Sequence, residues 1–155
     1  MRSCFGPFGL DGVAWEIHAG GGFWCQRRRG ELVLRRTRAS RSEVRPADSD
    51  ARLEGTLQLT LPRGRGEIVA GVRDGWRVAL SAERGEVTLE RPGSPLARAR
   101  VDPRAGVSLL LSKVPRATSA PGRAIQLPAT GGLSVSATRG SEAVLGVGRL
   151  AQSAP

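Results

Sequence analysis

The chain contains no tyrosine and no asparagine, one lysine (Lys113), one histidine (His18) and two cysteines, Cys4 and Cys25. Each scarcity removes a class of explanation. Two cysteines cannot form the disulfide framework of a small secreted scaffold. His18, Glu16 and Cys25 are the one place for a Cys–His nucleophile pair, but Gly20, Gly21 and Gly22 between them do not hold two groups in hydrogen-bond reach. Cys4, His18 and Cys25 offer three zinc-type ligands without the tight spacings of a structural site. No catalytic residue, metal or cofactor is therefore expected, and an enzyme is the least favoured class.

Long apolar runs are absent too. No window approaches the roughly 18 apolar residues of a membrane span. Asp11, Glu16 and His18 interrupt the region where a signal peptide would carry its apolar stretch. The expectation is an intracellular protein with reduced thiols.

Lysine, asparagine and tyrosine share AT-rich codons, whereas the abundant arginine, glycine, alanine and proline have GC-rich ones. The net charge of +10 is thus partly a product of coding bias. One reading of the composition is a GC-rich open reading frame without evolved function. Leu, Ile, Val and Phe make up 36 of 155 residues, slightly above the roughly 20% below which charged chains stay unfolded. A modest core is allowed.

Against the composition stands the patterning of residues 53–114. Residues 57–61, Leu-Gln-Leu-Thr-Leu, alternate apolar and polar, the mark of a strand with one buried face. The period returns at residues 68–72, 76–82, 87–89, 97–101 and 107–111, with turn residues between. Asp74-Gly75 predicts a two-residue hairpin link with both residues at positive φ. Glu83-Arg84-Gly85 predicts a three-residue link with Gly85 left-handed. Residues 133–137 alternate again, and residues 143–150, punctuated by Gly146 and Gly148, predict a bulged last strand. Short strands are also read at residues 13–17, 31–34 and 125–127.

The predicted fold is all-β: a small antiparallel sandwich or partly open barrel around residues 53–114 and 133–150. Residues 1–46 are read as a glycine-, aromatic- and arginine-rich arm, disordered or loosely packed. Residues 53–150 form the single domain, and 151–155 a frayed tail.

The arm carries the candidate site. Arg27, Arg28, Arg29, Arg35, Arg36, Arg38, Arg41 and Arg45 are opposed only by Glu31 and Glu43. Guanidinium forks suit phosphate oxygens, and Phe23 and Trp24 are candidate stacking platforms. Ser40 and Ser42 lie among the arginines as candidate phosphorylation sites. RNA, DNA or an acidic protein are the expected partners, and the cluster also suits a nuclear or nucleolar import signal. A β-module meeting a protein through a sheet edge or the aromatic arm is the other functional reading. Residues 46–105 hold ten arginines against nine acids, which argues that the sheet body is neutral and the excess charge lies on its flanks.

Gly146-Val-Gly-Arg-Leu-Ala151 matches a dinucleotide fingerprint in letters, but four residues after it cannot form the required helix. His18-Ala-Gly-Gly-Gly22 has no G-x-S-x-G elbow to accompany it.

Overall fold

A computed structural model describes residues 8–10, 13–19, 23–28, 30–37, 42–113 and 122–153. The strands are β1 (Phe8–Leu10), β2 (Val13–Ala19), β3 (Phe23–Arg28), β4 (Glu31–Arg36), β5 (Ser42–Pro46), β6 (Arg52–Thr60) and β7 (Glu67–Gly71). They continue as β8 (Arg77–Ser81), β9 (Glu86–Glu90), β10 (Ala97–Arg100), β11 (Val107–Ser112), β12 (Ala124–Pro128), β13 (Ser134–Ala137) and β14 (Ser141–Ser153).

Alternation decides how they stack. Val78 and Leu80, Val87 and Leu89, and Leu57 and Leu59 each bury one face of their strand, and the intervening residues stay wetter. An eight-stranded sheet in the order β1-β2-β5-β13-β7-β8-β9-β10 packs on a six-stranded sheet in the order β12-β11-β6-β14-β4-β3. Among the described strands only β11 and β12 run parallel. The sheets do not close on each other, so the fold is an all-β sandwich with open edges. Each fully buried aliphatic side chain in the shared core contributes about 1.5–3 kcal/mol of transfer free energy. No helix among the described residues is long and apolar enough to cross a membrane.

The turn chemistry behaves nearly as expected. Asp74 (φ 74°) and Gly75 (φ 87°) both take the left-handed conformation. The link is one residue longer than predicted, because the Val72 amide donates to the Trp76 carbonyl around Arg73–Gly75. Gly85 is left-handed, with φ 59°. β14 carries its irregularity between Val147 and Leu150.

Two boundaries need correction. The described residues between 13 and 46 are not a loose arm, because four strands from this region complete both sheets. β2 and β5 enter the eight-stranded sheet, and β3 and β4 the six-stranded one. Trp15, Leu32, Leu34 and Val44 are fully buried; the apolar area they remove from water offsets the entropy of ordering the glycine-rich backbone. The frayed tail is also shorter, since Ala151–Ser153 remain paired with Leu53 and its neighbours; residues 154–155 lie outside the described region.

Candidate nucleic-acid interface

The strand registers divide the connections between two ends of the sandwich. Arg36 pairs with Ser141, and Val144 with Thr60, so the end of β4, the start of β14 and the end of β6 lie together. In the other sheet Ala137 pairs with Ile68, Glu67 with Ser81, and Arg100 with Glu86. The links 61–66, 82–85, 101–106 and 138–140 therefore gather at one end. Among the described residues they carry five arginines (Arg63, Arg65, Arg84, Arg104 and Arg139) against Glu83 and Asp102. The links of the opposite end carry Arg73, Arg91 and Lys113 against Asp48, Asp50 and Asp74. One end is basic and the other is not. The near-neutral count for residues 46–105 concealed this, because charges balanced along the chain are separated in space.

At the basic end Arg35, Arg36, Arg63 and Arg65 line a hollow of about 450 Å³ with Thr37, Gly140, Ser141 and Glu142. Its floor is tied to both sheets. The Arg36 carbonyl accepts from the Gly140 amide at 2.7 Å, and Arg36 Nη1 donates to the Ala137 carbonyl at 2.9 Å. Ser141 Oγ accepts from the Glu67 amide at 2.9 Å and lies 2.9 Å from Thr138 Oγ1. Gly66 passes so close that a Cβ there would stand 2.7 Å from the Ser141 Cα. With φ +91° as well, glycine is the residue this crossing requires.

Glu142 is the internal counter-charge. Its Oε2 accepts from Arg35 Nη2 at 3.1 Å and its Oε1 lies 3.6 Å from Arg63 Nε. One carboxylate thus separates two guanidinium groups and leaves the hollow with a cationic excess. Pairs this open to water contribute about 0–1 kcal/mol each. Arg35 also lies over Trp24, its guanidinium carbon 5.2 Å from the ring centroid, a contact worth about 0.5–1 kcal/mol at an exposed site.

The sequence cluster of arginines does not stay together. Arg27 and Arg28 close the far end of the β3–β4 hairpin, paired with Leu32 and Glu31. Arg35 and Arg36 stand at the basic end, paired with Trp24 and Phe23. Arg45 belongs to the other sheet, on the outward side of β5. Arg29, Arg38 and Arg41 lie outside the described residues. Phe23 packs against the core, which leaves Trp24 as the aromatic on the outward side.

Arg45 contributes to a second hollow of about 450 Å³, with His18, Arg36, Ser42, Glu43, Ser134 and Ser136. Arg45 Nη2 lies 3.5 Å from His18 Nδ1, and His18 Nε2 lies 3.2 Å from Glu16 Oε2. Ser42 is 5% exposed and its hydroxyl donates to the Ala137 carbonyl at 2.8 Å. It is therefore closed to the phosphorylation expected of it; Ser40 lies outside the described residues. Cys25 is buried in the six-stranded sheet, whereas His18 lines a hollow on the other one, so the two do not meet. Among the described residues no group of His, Cys, Asp and Glu gathers as a metal site.

The residues that sequence reading missed are Arg63, Arg65 and Glu142. Pro62-Arg-Gly-Arg-Gly66 reads as a turn, and only the alternation of arginine with glycine hinted at more.

Comparison with known proteins finds no matching family model, no matching curated protein and no matching solved structure.

Proposed function

We propose that this chain is a non-catalytic β-sandwich module that grips the phosphate backbone of RNA or DNA at its basic end. The observation that supports this reading is the convergence of Arg35, Arg36, Arg63 and Arg65, from two distant segments, on one hollow. Guanidinium groups carry fixed charge and forked donors that match phosphate oxygens. Contacts to phosphate carry no sequence information, so binding of this kind is sequence-tolerant and driven by counterion release.

The test is fluorescence anisotropy of labelled oligonucleotides titrated with protein over a series of salt concentrations. Four phosphate contacts give a log–log slope of about −3 with a single strand. Tight binding that is insensitive to salt, or no binding at low salt, would overturn the proposal. Failure to bind oligonucleotides combined with capture of an acidic polypeptide would move the partner to another class.

A further inference from the structure

The two hollows share one residue. Arg36 lines the hollow of Arg35, Arg63 and Arg65, and also the hollow of Arg45. Arg36 belongs to the six-stranded sheet but donates to Ala137 of the eight-stranded sheet, so its guanidinium sits where the two sheets meet. On one side of it the wall continues through Arg35 toward the outward side of β4, where Trp24 lies beneath the Arg35 guanidinium. On the other side it continues past the Glu43 carboxylate, which offsets one of its guanidinium charges, to Arg45, Ser134 and Ser136; these residues alternate with buried Val44, Val135 and Ala137 and so face away from the core.

The geometry points to a single cationic track that runs from one sheet, over the rim at Arg36, to the outer face of the other, and that takes a single-stranded nucleic acid in preference to a duplex. This rests on the phosphate-binding reading above and names its substrate class. The physical reason is bending. Packed sheets are separated by about 10 Å, so a ligand touching both hollows must turn over that distance. Duplex DNA, stiff over about 50 nm, stays straight on this scale, and meets one hollow only. A single strand bends freely, and its bases can stack on the Arg35 plane while its phosphates pass Arg36 and reach Arg45. The hydroxyls of Ser134 and Ser136 supply donors along the second half of the track.

Arg45 is the diagnostic residue, because it lies in the second hollow alone. The experiment measures anisotropy of one oligonucleotide of about 12 nucleotides, single-stranded and annealed to its complement, with wild-type protein, Arg45→Gln, Arg45→Lys and the Arg63→Gln/Arg65→Gln double variant. Circular dichroism confirms that each variant folds. The single strand should bind at least tenfold more tightly than the duplex at equal salt. Arg45→Gln should weaken the single strand about fivefold and flatten its salt slope by about 0.7, the share of one phosphate. It should leave the duplex unchanged, and Arg45→Lys should restore most of the loss. Equal affinity for both forms, or an unchanged single-strand affinity in Arg45→Gln alongside a loss in Arg63→Gln/Arg65→Gln, would overturn the track and leave phosphate binding intact. Absence of salt-dependent binding to either form would overturn both.

Discussion

Trp15 offers the sharpest test of whether the N-terminal strands belong to the folded body. It is fully buried on β2, which pairs with Pro46 of β5 on one side and Phe8 of β1 on the other. A buried tryptophan removes roughly 150–250 Å² from water. At about 25 cal/mol per Å² that is roughly 4–6 kcal/mol. Trp15→Ala keeps the Cβ but leaves a cavity, and large-to-alanine changes of this kind cost about 3–5 kcal/mol. Domains are stable by only about 5–15 kcal/mol, so the variant should stand near the edge of folding. The assay is urea unfolding followed by far-UV circular dichroism, with the emission of Trp24 and Trp76 as a second probe. With a urea dependence of about 2 kcal/mol per M, the midpoint should fall by roughly 2 M. Arg98→Ala, at an exposed site on edge strand β10, is the control and should move stability by less than about 0.5 kcal/mol. A loss in Trp15→Ala no larger than that control would contradict the burial of Trp15 in the shared core. It would mean that residues 13–19 are the loose arm their glycine-rich surroundings suggest.

Two further predictions concern the basic end. Gly66→Ala should destabilise by about 2–3 kcal/mol, because it combines a left-handed backbone with a clash against Ser141. Gly93→Ala, which has φ +70° and open space around it, should cost only the backbone share of about 1 kcal/mol; equal losses in thermal or urea scans would count against the close crossing. Glu142→Gln removes the carboxylate shared by Arg35 and Arg63. It should raise oligonucleotide affinity roughly fivefold at low salt while lowering stability by less than about 1 kcal/mol. A fall in affinity would show that Glu142 orders the two arginines more than it neutralises them.

Much of the sandwich was legible because period-2 burial and turn chemistry act over a few residues. Val78 and Leu80 against Arg77 and Ser81 state their own orientation, and Gly85 marks the link that follows. β3 and β5 were illegible for physical reasons. Phe-Trp-Cys-Gln-Arg-Arg follows three glycines and ends in charge, and Ser-Glu-Val-Arg-Pro buries a serine and a proline on either side of its one apolar inward residue, Val44. In β4, Val33 is buried on the outward side between Leu32 and Leu34, which turned alternation into a continuous apolar run. The site itself was beyond local reading. Arg35 and Arg63 are 28 positions apart, and only the β6–β14–β4 pairing brings their links to one end. Proximity in sequence also misled, since Arg28 and Arg35 share a hairpin yet stand at its opposite ends.

On the reading proposed above, the placement of the arginines, and not the net charge, makes the interface. The direct measurement compares two charge-matched double variants in salt-dependent binding to a single-stranded oligonucleotide. Arg63→Gln/Arg65→Gln removes two guanidinium groups from the basic end. Arg77→Gln/Arg98→Gln removes two exposed ones from the outward side of β8 and β10. The first pair should flatten the log–log slope by about 1.4, two phosphates' worth, and the second should leave it unchanged. Equal losses in the two variants would contradict that reading, and would reduce the binding to the general attraction of a chain with charge +10.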